Sequence, residues 1–201
     1  VYTGNPRSEE IIKAKKKLKS DFGFDESKKL VIFVMGSLGS TTMTQKIKEL
    51  IPGFNNKNYQ VLIVTGKNYY DDYKDISISD NVKIVPFIED LINLMKDSDL
   101  IVSRAGASTI AEITAIGLPA ILVPSPYVTN NHQYKNAKAL EDVGACKIIL
   151  ESEFSRDTII REIDKLFDNR EDYNKMSSAS HTLGIDDSAT RIYEEIKKII
   201  R

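Results

Sequence analysis

The chain has 201 residues, with 28 basic against 29 acidic side chains and a formal net charge of −1. That length supplies one sizeable core and argues against a second full domain, and the balanced charge argues against a chain-wide nucleic-acid or other polyanion partner. A single cysteine, Cys146, excludes an internal disulfide framework and fits a reducing cytoplasm.

No apolar run approaches the ~18 residues of a membrane span, and no signal-peptide apolar segment opens the chain. A soluble protein is expected, with room for contact at a membrane surface. The chain begins "VYTGNPR" without a methionine, which reads as a linker attached to something longer. Residues 1–8 are assigned to that linker and 9–201 to one domain.

Residues 8–19 read as a polar helix, with Lys13, Lys15, Lys16, Lys17 and Lys19 on a solvated face. Apolar strand-length runs then recur: "KLVIFVM" (29–35), "YQVLIVT" (59–65), "NVKIVPF" (81–87), "DLIVS" (99–103), "LPAILVP" (118–124) and "CKIIL" (146–150). Nearly every run is followed by a helix-compatible stretch, and helices are predicted over 41–51, 67–74, 88–97, 107–117, 132–143, 156–168, 171–180 and 187–200. Several strands are continuously apolar, as strands covered on both faces are. The alternation therefore predicts an α/β fold, a Rossmann-like doubly wound parallel sheet of about six strands. In the last helix Ile192, Ile196 and Ile199 form an apolar stripe, which packs either on this domain or on another one.

Ligands of such sheets sit beyond the carboxyl ends of the strands, and three loops there carry chemistry. In "MGSLGST" (35–41), Gly36 and Gly39 allow close backbone approach and Ser37 adds a hydroxyl before a helix N-terminus suited to an anion. In "SRAGASTIAE" (103–112), Arg104 and Gly106 follow a strand and Ala107, Ser108 and Thr109 open a helix; Thr109 and Glu112 also fit a capping box. The 124–140 loop gathers Asn130, Asn131, His132, Gln133 and Asn136, amides and an imidazole suited to sugar hydroxyls. Helix capping accounts for one of these asparagines rather than the whole set. No metal-ligand spacing occurs, so neither a metal nor another cofactor is expected.

These loops, in this order, resemble the carboxyl-terminal domain of the MurG-type enzymes, bacterial glycosyltransferases of the GT-B fold that add N-acetylglucosamine to lipid I to make lipid II. The resemblance covers essentially the whole chain, through "TGNPR", "MGSLGS" and the long stretch from "VPFIED" to "EDVGAC". It implies a donor site for UDP-N-acetylglucosamine. Ser37 and Thr109 would face the phosphates, helped by the backbone at Gly36, Gly39, Gly106, Ala107 and Ser108, with Arg104 beside them. The main chain of Ile88 would hold uracil, Glu112 the ribose, and His132, Gln133 and Asn136 would lie toward the sugar. The resemblance places Arg7 at the linker arginine, although Arg7 follows Pro6 directly where the family usually has one intervening residue. Met35 and Leu38 stand where the family commonly has a second glycine and a glutamine, and Asn130 replaces a common aspartate.

The same resemblance implies that the acceptor site, the base and the membrane-binding patch belong to another domain, so that lipid I is met there and the full-length enzyme sits on the inner face of the cell membrane. This chain alone would then bind donor without transferring sugar. Other readings remain open on the sequence: the catalytic half of a two-chain dolichol-linked N-acetylglucosamine transferase, a lipid transferase using UDP-galactose or UDP-glucose, and a non-catalytic nucleotide-sugar-binding module.

Overall fold

The computed structural model describes residue 1, residues 3–35 and residues 41–200. Six parallel strands, β1 (Leu30–Val34), β2 (Gln60–Val64), β3 (Val82–Val85), β4 (Leu100–Ser103), β5 (Ala120–Leu122) and β6 (Lys147–Ile148), form one sheet in the order β3-β2-β1-β4-β5-β6. The chain winds outward from β1 to one edge, then returns to β4 and winds to the other. This is the expected doubly wound sheet, and its direction reverses between β1 and β4.

Side chains alternate along β1 and divide the interior in two. Val31 and Phe33 point into one core with Met43, Ile47 and Ile163, while Leu30 and Ile32 point into the other with Leu94, Ile113 and Leu140. Burial on both faces explains why these strands read as unbroken apolar runs. The layers are supplied by α2 (Thr41–Leu50) and α6 (Arg156–Asp168) on one face, and by α3 (Leu91–Met95), α4 (Ala107–Ile116) and α5 (His132–Glu141) on the other.

Three predicted helices are shortened. The helix expected over 8–19 is α1 (Arg7–Lys13), which ends when Ala14 turns extended at ψ 136°. Continuing it would stack lysines at i,i+3 and i,i+4; instead Lys16 reaches Asp97 at 2.5 Å, Lys17 pairs with Asp90 and Lys19 approaches Asp99 at 3.5 Å. The basic run is thus largely neutralised across the fold rather than lying on a solvated helix face. Residues 67–74 give only a 3-10 turn at Tyr70–Tyr73, because Tyr73 is the one side chain of that turn that reaches the core. The helix expected over 88–97 reduces to the five residues of α3.

The last helices, α7 (Arg170–Thr182) and α8 (Ser188–Ile199), fold back over α4 and α1. Glu9 Oε1 accepts from Thr190 N at 3.1 Å and Ser188 is fully buried, so the start of α8 packs on this domain. Its outer stripe is left uncovered: Ile196 is 46% exposed and Ile199 82%. Cys146 lies just before β6, buried and donating to Ala137 O at 3.5 Å, and burial pushes its thiol up to about 12. It is a packing residue, as the sequence indicates.

Candidate functional site

β1 and β4 pair in parallel, with Val34 opposite Ser103, so both strands end level at the point where the sheet reverses. Beyond Val34 the chain enters the first glycine loop; Gly36, Ser37 and Gly39 lie outside the described residues. Beyond Ser103 it turns through Arg104, Ala105 and Gly106 directly into α4.

The start of α4 differs from the expected capping box. Gly106 is the cap and offers no side chain, and Thr109 is already the third helical residue. The box therefore does not form, since its hydroxyl would have to stand at the cap itself. By contrast Ser155 caps α6 by accepting from Thr158 N, and Asn169 caps α7 by accepting from Glu171 N and Asp172 N. The first intrahelical bond of α4 is Ile110 N to Gly106 O at 2.9 Å, which leaves the N–H groups of Ala107, Ser108 and Thr109 without a partner among the described residues. Three free donors at the positive end of a helix dipole make a place for an anion. A β-carbon on Gly106 would meet only Thr109 Oγ1, at 3.8 Å, so the fold itself does not require glycine there.

One turn further along, Glu112 accepts from Arg7 Nε at 2.7 Å, and this bond raises the Arg7 pKa above its ordinary value. The contact brings together two residues predicted for the site from opposite ends of the linker and nucleotide loop. The Ile88 side chain packs against the core beside α3, while its main-chain N–H and C=O have no hydrogen-bond partner among the described residues.

Arg104 has a different place from the one the resemblance implies. Its guanidinium is buried, with Nη2 on Glu151 Oε2 at 2.6 Å and Nη1 on Val123 O at 3.1 Å. It ties the ends of β4 and β5 to the loop after β6. Lys46 of α2 adds a bond from Nζ to Glu151 O at 2.6 Å. Glu151 escaped the sequence reading; its signal is an acidic residue closing the last apolar run in "CKIILESEF".

The amide-rich loop also divides into roles. Asn130 and Asn131 adopt left-handed backbone at φ 55° and 52°, and asparagine tolerates that conformation better than most residues. This backbone demand, rather than capping, accounts for the pair, because Asn131 stands at the N-cap of α5 without a side-chain bond. Gln133 Oε1 accepts from Ser125 N at 2.9 Å, Asn136 Nδ2 donates to Ala105 O at 3.2 Å, and His132 Nδ1 lies 3.0 Å from Thr129 O. Asn136 thus braces the turn before α4, while Gln133 keeps its Nε2 and His132 its Nε2 unengaged among the described residues. A groove of about 690 Å³ between residues 3–8, α4 and α5 shares Ala107 and Asn136 with this cluster. Among the described residues no group of three His, Cys, Asp or Glu is placed to hold a metal ion.

This fold carries a family signature: the chain belongs to the glycosyltransferase family 28 C-terminal domain family, which it matches over residues 30–192. It is 43% identical over 206 residues to a Bacillus cytotoxicus protein named UDP-N-acetylglucosamine--N-acetylmuramyl-(pentapeptide) pyrophosphoryl-undecaprenol N-acetylglucosamine transferase. That match covers 100% of this chain and 57% of the relative. A Bacillus pumilus protein of the same name is 41% identical over 204 residues, covering 99% of this chain and 56% of that one. Among solved structures, MurG of Acinetobacter baumannii superposes with a TM-score of 0.75 at 25% identity, over 94% of this chain and 55% of that chain. A putative UDP-N-acetylglucosamine 2-epimerase from Listeria monocytogenes shares the fold at a TM-score of 0.74 and 17% identity, over 99% of this chain and 53% of that chain. The chain therefore spans a little over half the length of the relatives it matches.

Proposed function

We propose that the chain binds UDP-N-acetylglucosamine at the reversal of the sheet and forms the donor half of an inverting glycosyltransferase that converts lipid I to lipid II in peptidoglycan synthesis. The observation that carries this reading is the level ending of β1 and β4, with β4 turning through Gly106 into an uncapped helix that has a carboxylate one turn in. The names of the relatives support N-acetylglucosamine over galactose or glucose, and a transferase over a binding module.

In this reading the free N–H groups of Ala107, Ser108 and Thr109, with Ser37, Gly36 and Gly39, receive the diphosphate. The Ile88 main chain reads uracil, Glu112 takes the ribose, and Gln133 and His132 approach the sugar. Asn136 and Arg104 position the loops. Transfer is a displacement at the anomeric carbon, in which fixed helix dipoles and hydroxyls stabilise the UDP leaving group without a metal. The acceptor, its general base and contact with the inner face of the membrane fall to the remainder of the enzyme.

Calorimetric titration with UDP-N-acetylglucosamine, UDP-galactose and ADP-ribose, with and without chelator, tests the reading. The first should bind most tightly and equally well in chelator. Absence of binding at millimolar UDP-N-acetylglucosamine, or tighter binding of ADP-ribose, would overturn it.

A further inference from the structure

Arg7 opens α1 and donates to Glu112 of α4, so the contact joins the linker segment to the nucleotide turn. The two partners are unequally held: the Arg7 side chain is 45% exposed and that of Glu112 only 16%. The carboxylate is the fixed half, and the guanidinium is the half that can return to water. The rest of the segment is anchored without Arg7, through fully buried Ile11, through Glu9 accepting from Thr190 N, and through Lys96 Nζ donating to Ile12 O at 3.0 Å.

Glu112 Oε1 is occupied by Arg7, whereas Oε2 has no partner among the described residues. A ribose presents two neighbouring hydroxyls, a donor pair that matches both oxygens of one carboxylate. At Oε1 a hydroxyl must compete with the guanidinium already bonded there at 2.7 Å. Resting on Glu112 as the ribose ligand of the donor site, we propose that Arg7 is a clasp: it holds the ribose carboxylate while the site is empty and is displaced by the incoming nucleoside. Nucleoside affinity is then lowered by the pair that must open, and linkage makes the effect reciprocal, so that nucleoside binding frees the Arg7 guanidinium.

Uridine is the probe, because it carries the diol and no phosphate for Arg7 to attract. In titrations of the 201-residue chain, Arg7→Gln should bind uridine about two- to five-fold more tightly than the original sequence, the scale of a partly exposed ion pair. In the chain labelled with ¹⁵N-arginine, the Arg7 Nε–H resonance, assigned by its loss in Arg7→Gln, should move toward its solvent-exposed position as uridine saturates. Equal or weaker uridine binding by Arg7→Gln, or an Arg7 resonance unmoved at saturation, overturns the clasp while leaving the donor site intact. Failure of the unmodified chain to bind either uridine or UDP removes the donor reading and the clasp with it.

Discussion

The ribose role proposed for Glu112 can be separated by measurement from a role in folding. With no capping box formed, its one hydrogen-bond partner among the described residues is half-exposed Arg7, and such a pair contributes about 0.2 to 1 kcal/mol to stability. Loss of a hydrogen-bonded charge from a ribose site costs roughly 1 to 3 kcal/mol of binding. Glu112→Ala is therefore expected to lower UDP affinity by more than it lowers stability, with calorimetry and denaturant unfolding measured on the same protein. The balance reverses at Arg104. Arg104→Ala leaves Glu151 charged and buried, an arrangement that costs about 3 to 5 kcal/mol, and the unfolding midpoint should fall accordingly. Cys146 gives a third residue-scale expectation. Its burial keeps the thiol protonated well above neutral pH, up to about 12, so below that value the native chain holds little thiolate. An alkylating reagent at pH 8 should label it no faster than the protein opens, and prompt labelling of the native chain would contradict the buried position.

At the scale of elements, α4 answers why a glycine precedes it. Gly106 has φ −70° and ψ 148°, ordinary extended backbone, and a β-carbon there has space. Gly106→Ala should accordingly change stability by less than about 0.5 kcal/mol and yet weaken UDP binding, because the added methyl would stand where a phosphate approaches the free N–H groups. Unchanged affinity would return Gly106 to the role of a plain turn residue. The strands and the helices α2, α4, α6 and α7 are legible in the sequence because local apolar pattern and local turn chemistry specify them. The end of α1 is not, since Lys16, Lys17 and Lys19 find Asp97, Asp90 and Asp99, which only the fold brings near. The same limit hides the Arg104–Glu151 pair, and it makes Asn130 and Asn131 look like ligand amides when their left-handed backbone explains them. Glu112 was legible as a residue with a purpose, but its partner Arg7 lies 105 positions away.

At the scale of the whole molecule, the described residues supply, in the proposed reading, a floor for the donor. Glu112, the carboxylate one turn into α4, is committed to Arg7 and, in the proposed reading, to ribose. The outer face of α8 is open, with Tyr193 59% exposed and Ile200 78% exposed beside Ile196 and Ile199. The chain alone is therefore expected to bind UDP-N-acetylglucosamine yet transfer none of it to a lipid I analogue, even when saturated with donor. Supplying the amino-terminal part of a relative as a separate chain should restore measurable transfer. Ile199→Asp with Ile200→Asp should weaken that restoration without lowering the melting temperature of the donor half, since both side chains already face water. Turnover by the 201 residues alone, abolished by Glu112→Ala, would show that the chemistry needs no second domain.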